Sequence, residues 1–160
     1  MYNYIYELLQ EPIPADEWTM AWEYHEHPDA FPIADIVEDA KDRGSVISRF
    51  GAWLKENSLG ELSGETFTID PDAADRYFEG RFAAFQSALA ALQQLNETQF
   101  VHDHDQVQGL IDDLTETFTT KYGDYVLWSD DMAPTPLEEF LRKAQHGTSY
   151  CIGAVLSYKH

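Results

Sequence analysis

The sequence is nearly free of cysteine. Cys151 stands alone among 160 residues, which excludes an internal disulfide framework. Cations are scarce as well: ten Lys and Arg face 29 Asp and Glu, for a formal net charge of -19. Direct binding of nucleic acid or of an anionic membrane needs clustered cations, so the composition argues against both. No apolar run approaches the roughly 20 residues that span a bilayer. The opening residues, Met1 to Tyr4, lack the basic and apolar regions of a secretory signal. A cytoplasmic location is the resulting expectation. The common catalytic signatures are also missing: there is no Gly-rich phosphate loop, no nucleophile elbow and no paired-cysteine zinc pattern. Gly44, Gly51, Gly80 and Gly109 are isolated, which suits helix breaks or close packing better than phosphate contact.

What is present suffices for a core. Hydrophobic residues make up 44% of the chain and aromatics 14%, enough at this length to fold without staples. No repeat, low-complexity tract or linker divides the sequence, so one acidic domain over residues 1–160 is expected. Residues 2–9 are aromatic and β-branched with rough alternation, which predicts a strand ended by Pro12 and Pro14. Asp16 is placed to cap a short helix carrying Trp18 and Trp22, and the two prolines at 28–32 mark a loop. Ile33, Ile36, Val37 and Ala40 have helical spacing. Ser45 can cap a further helix with the face Val46, Phe50, Trp53 and Leu54. Gly60 and Gly64 flank a turn before a short strand at 65–69.

Asp70 and Pro71 suit the start of a long helix over 71–94, with the stripe Ala74, Phe78, Phe82, Phe85, Leu89 and Leu92. Asn96 or Thr98 starts another, reaching 121, with the stripe Phe100, His104, Val107, Ile111, Leu114 and Phe118. These helices are expected to pack on the sheet and bury Phe78, Phe85, Leu89, Ile111, Leu114 and Phe118. Residues 124–128 read as a strand. Thr135-Pro136-Leu137-Glu138 has capping-box spacing for a short helix with Leu137, Phe140 and Leu141 inward. Residues 149–158 form the most apolar strand, expected at the sheet centre. Helices cluster mid-chain instead of alternating with strands. The expected class is α+β, with a small, largely antiparallel sheet of about four strands packed against several helices.

Two histidine clusters raise metal chemistry. His25 and His27, if extended, point to one face as ligands must, but two residues make an incomplete site. His102 and His104 lie two apart on the expected helix and so diverge by about 200°. Their His-Asp pairs match a metal-dependent phosphohydrolase only in the dipeptide, without the further His and Asp such a site needs. No stoichiometric metal or cofactor is expected. Cys151, in an apolar strand without an adjacent base, reads as a buried structural thiol. Asp130-Asp131 reads as a solvated acidic turn.

The acidic faces are more specific than any catalytic hint. On the 98–121 helix Asp105, Asp112 and Glu116 lie away from the apolar stripe, with Asp103 and Asp113 at its margins. Positions seven apart on a helix are about 10 Å apart, the length scale of neighbouring backbone phosphates. Small acidic DNA mimics, including antirestriction and anti-CRISPR proteins, share this size and charge by composition. The leading expectation is therefore a non-enzymatic interaction protein whose negative surface binds a basic, nucleic-acid-binding protein. The alternatives are a metal-dependent hydrolase using His25, His27 and nearby carboxylates, and a structural or regulatory domain whose acidity serves solubility or salt adaptation.

Overall fold

The most apolar segment of the chain becomes the strand that the others share. In this computed structural model, which describes residues 3–26, 36–120, 123–128 and 133–159, the strands and helices follow one another as β1 (Asn3–Leu9), α1 (Ala21–Glu26), β2 (Ile36–Asp39), α2 (Arg43–Glu56), β3 (Gly60–Ser63), β4 (Thr66–Ile69), α3 (Ala73–Gln93), α4 (Glu97–His102), α5 (His104–Glu116), β5 (Tyr125–Leu127), β6 (Thr135–Pro136), α6 (Leu137–Lys143) and β7 (Ser149–Lys159). A 3-10 turn at Ala15–Glu17 precedes α1. Two compact units emerge, Met1–Ala73 with Tyr122–His160, and Ala74–Lys121. The first contains the sheet and the second is helical.

The sheet runs β3-β4-β7-β1-β5-β6, with β2 also on β7. β7 pairs antiparallel with β1 along one edge, and with β4 and β2 at the two ends of the other. β1 and β5 are parallel. The fold is α+β, but the expected four-stranded, largely antiparallel sheet is incorrect: seven strands form a mixed sheet. Three strands account for the difference. Ile36 and Val37 belong to β2, not to a helix, because β-branched residues suit a strand and the free end of β7 offers a ladder. β3 pairs with β4 across a tight turn in which Gly64 has a φ of 62°, a conformation that favours glycine. Thr135 and Pro136 form β6, and α6 starts without a side-chain cap, so the expected capping box is absent.

β7 contains a bulge. Tyr6 pairs with Val155 and Leu8 with Ile152, so three residue steps in β7 oppose two in β1. The extra residue inverts side-chain alternation. Beyond the bulge, Ala154, Leu156 and Tyr158 join Ile5, Tyr24, Val37 and Leu127 in one cluster. Before it, Tyr150 points to the other face, stacked on Phe67 at 5.4 Å and edge-on to Phe140 at 5.3 Å. Tyr6 and Phe50 continue that aromatic layer at 4.9 Å, as do Phe50 and Phe67. Glu7 stabilises the bulge. Its carboxylate accepts the Ala154 N–H at 2.7 Å, an amide left without a ladder partner, and the Thr19 hydroxyl at 2.6 Å. A Cβ at Gly153 would collide with Glu7 Oε2 and Leu9 Cδ1.

In the helical unit, the expected stripes have the right period but not the expected burial. Phe78, Phe85 and Leu114 are half-buried, while Leu89, Ile111 and Phe118 are exposed; Val107 is the buried side chain of α5. The long helix starts at Ala73, after a turn in which Ala73 N–H reaches Asp70 O at 3.2 Å. None of the helices is long and apolar enough to cross a membrane, among the described residues.

Core truncations should separate these environments. Phe50→Ala, at a fully buried site, is expected to cost about 3–5 kcal/mol, and Phe85→Ala about 1–2 kcal/mol because less area leaves water. Gly153→Ala is expected to cost about 1–3 kcal/mol through overpacking against Glu7. Urea unfolding of the three variants checks the order.

Candidate acidic interface

The segment that carries the predicted carboxylates is built from caps. Asn96 opens α4 with a full capping box: its side chain accepts the Gln99 N–H at 2.9 Å, and Gln99 Oε1 accepts the Asn96 N–H at 3.1 Å. Asp103 then ends α4 and caps α5, accepting the Gln106 N–H at 3.2 Å. The single helix expected over 98–121 is therefore two helices broken at one aspartate. An aspartate side chain can replace the missing intrahelical partner of a first-turn amide, so the break is satisfied locally.

All five predicted residues, Asp103, Asp105, Asp112, Asp113 and Glu116, are exposed. Their roles differ. Asp103 is engaged in capping. Asp112 accepts the Gln108 side-chain amide at 2.8 Å. Asp105 and Asp112, seven apart on α5, project about 10 Å apart on one face, and Glu116 lies one turn further along. Among the described residues none of the five is in an ion pair. From Phe82 to Thr120 the sequence contains no Lys or Arg, against six Asp and Glu: Glu97, Asp103, Asp105, Asp112, Asp113 and Glu116. Some cations elsewhere are engaged with carboxylates: Arg43 with Glu65 at 2.9 Å, Arg49 with Asp124 at 3.3 Å, and Lys143 with Glu139 at 3.1 Å.

The histidines are arranged differently from the sequence expectation. His104 is exposed instead of lying in an apolar seam, as is His102. His25 sits on α1 and donates from Nε2 to the Val37 carbonyl at 3.2 Å, which ties α1 to β2. His27, Asp130 and Asp131 lie outside the described residues. No group of three or more metal-ligating side chains occurs among the described residues. Ala21, Trp22, His25, Val37, Glu38, Asp39 and Lys41 line an open depression. Asp39 is partly consumed there, accepting the Ala21 N–H at 3.0 Å. Cys151 is buried beside Thr66, with Oγ1 and Sγ 3.6 Å apart.

A buried polar cluster escaped sequence reasoning. Asp124, just before β5, accepts the Tyr4 N–H at 2.9 Å and pairs with Arg49 of α2. Burial raises its pKa above the ordinary carboxyl value, opposed by the Tyr4 amide and by Arg49. Beside it the Tyr6 hydroxyl is buried and has no hydrogen-bond partner among the described residues. Burial, then the Asp124 charge, drives the Tyr6 pKa upward. The signal available in sequence was only an aspartate next to an apolar strand, which does not distinguish a buried carboxylate from a turn residue. Arg49 is nearly half exposed, which opens this cluster to water on one side. Neither a known protein family, nor a characterised protein, nor a solved structure matches the chain.

Two substitutions test the cluster. Tyr6→Phe removes an unsatisfied buried hydroxyl and is expected to raise stability by about 1 kcal/mol, measured by chemical denaturation. Asp124 binds its proton more tightly folded than unfolded. Its contribution to stability is therefore greatest below the unfolded value near 3.8 and declines as pH rises through the raised folded value. Asp124→Asn keeps an acceptor for the Tyr4 N–H and abolishes the decline. The stability difference, variant minus parent, should grow with pH across that window.

Proposed function

We propose that the chain is a non-enzymatic interaction protein whose negative surface binds a basic partner. In its sharpest form, it competes with DNA for the cationic groove of a nucleic-acid-binding protein. One observation carries this reading: Asp105, Asp112 and Glu116 project from α5 into solvent within a segment that has no Lys or Arg between Phe82 and Thr120. Carboxylates on a rigid helix at about 10 Å intervals can occupy positions that phosphates would take, at little ordering cost. The field of a chain with net charge -19 steers a basic partner during encounter. Asp103 caps the helix that carries the row.

The experiment is competition against labelled DNA for a partner recovered by pull-down from the native host, at two salt concentrations. Inhibition should weaken as salt rises, because exposed charges are screened beyond about 8–10 Å at 0.1–0.15 M ionic strength. Replacing Asp105, Asp112 and Glu116 together by Asn, Asn and Gln should leave the fold intact. It should slow association by about tenfold, with a smaller change in dissociation. A folded triple variant that competes as well as the parent removes α5 from the mechanism. Recovery only of partners without nucleic-acid-binding function refutes the DNA-competition form.

A further inference from the structure

One peptide bond of the sheet unit joins an aspartate to a proline beneath two hydrogen-bond donors. Asp70–Pro71 is the one Asp-Pro pair in the sequence. Its nitrogen belongs to the proline ring and carries no hydrogen, so on cleavage it leaves as a secondary amine. Asp70 follows β4, and its backbone is held on both sides. Its N–H donates to the Leu59 carbonyl at 2.8 Å. Its carbonyl oxygen accepts the Ala73 N–H at 3.2 Å and the His146 Nδ1–H at 3.2 Å. Sheet pairing brings His146 there. β4 runs beside β7, so the loop before β7 closes over the end of β4, where the Gly147 N–H reaches the Ile69 carbonyl at 3.2 Å. Pro71, Asp72 and His146 are exposed, which gives water access to the bond. Asp72 has a φ of 60°, in the left-handed region that residues other than glycine seldom occupy. Scission lets Asp72 relax out of it, which favours the products.

We propose that the folded chain cuts itself between Asp70 and Pro71, with Asp70 as the nucleophile and His146 as a donor to the developing oxyanion. A side-chain oxygen of the Asp70 carboxylic acid adds to the Asp70 carbonyl carbon and closes a small ring. Nucleophile and carbonyl belong to one residue, so no encounter has to be arranged. The negative charge that gathers on the carbonyl oxygen meets the Ala73 N–H and the His146 Nδ1–H, the donors already aimed at it. The ring intermediate then collapses. The C–N bond breaks, and the carboxyl proton passes to the Pro71 nitrogen. Asp70 is left as a cyclic anhydride, which one water opens to two carboxylic acids. No oxidant, reductant or further reactant is consumed. The titratable side chains of this turn and of the loop packed on it are Asp70, Asp72 and His146; Asn57 to Leu59, which adjoin through the Leu59 carbonyl, bring none. The cut falls just before Ala73, at which the chain passes into the helical unit. It therefore severs one of the two covalent links between the units. The inference stands apart from the acidic interface, since it uses none of the carboxylates of α5.

Mass spectrometry of the whole chain, incubated for several days in mild acid at about pH 5, tests the proposal. Two fragments should appear, one ending at Asp70 and one starting at Pro71, with masses that add up to the 18.3 kDa chain plus one water. The folded chain should be cut at least about tenfold faster than the same chain in urea, because only the fold holds the two donors in place. Asp70→Asn and Pro71→Ala should each slow cleavage at least about a hundredfold, one by removing the nucleophile and the other the leaving group. His146→Ala, at an exposed position, should slow the folded chain about tenfold or more and leave the rate in urea unchanged. Circular dichroism checks that each variant is folded. A parent that stays whole overturns the proposal, as does one cut no faster folded than in urea. So does a folded His146→Ala variant that keeps the parent's rate, or cleavage at this bond that persists in Asp70→Asn.

Discussion

One hydrogen bond governs how the sheet serves two cores. The Glu7 carboxylate accepts the Ala154 N–H at the bulge of β7. Without a bulge, β7 would show one face to Tyr150 and Tyr158 alike. With it, Tyr150 enters the aromatic layer with Phe67 and Phe140, while Tyr158 enters the opposite cluster with Ile5 and Val37. An unpaired amide in that position costs on the order of 1–3 kcal/mol, and a bulge without an acceptor would not persist. Glu7 also holds Thr19, so the segment leading into α1 is anchored to the same carboxylate. The side chain thus couples a backbone irregularity to the placement of the helix that covers it.

Charge is divided unevenly along the chain. In the sheet unit, Arg43 and Arg49 are bound into structure: Arg43 reaches the Ile152 carbonyl at 2.8 Å and lies over the Trp18 ring at 4.2 Å, and Arg49 joins Asp124. The segment from Phe82 to Thr120 has no Lys or Arg to bind in this way. Its carboxylates are exposed, and those that are engaged meet amides: Asp103 the Gln106 N–H and Asp112 the Gln108 side chain.

The long, periodic and apolar segments were legible in the sequence. β1, β4, β5 and β7 were anticipated, as were the inward face of α2 and a helix start at Asn96 or Thr98, of which the structure takes Asn96. What was hidden depends on remote partners. β2 has only four residues and becomes a strand because β7 is long enough to pair beyond β4. Thr135 prefers a strand and a bond from the Trp128 indole at 3.3 Å to a cap. Asp103 was read as the margin of one helix, although a capping side chain can equally break it. The outward carboxylates of α5 followed from helical period alone. The Asp124–Arg49–Tyr6 cluster could not, since it joins residues far apart in the chain.

The absence of Lys and Arg between Arg81 and Lys121 also shapes how the chain can be cut. A protease that cleaves after basic residues has no site within Phe82–Thr120. Most of α3 and all of α4 and α5 would leave as one peptide, whether the helices are folded or open. For such a protease the acidic segment has no internal boundary, and the caps at Asn96 and Asp103 and the carboxylates of α5 share one covalent fate.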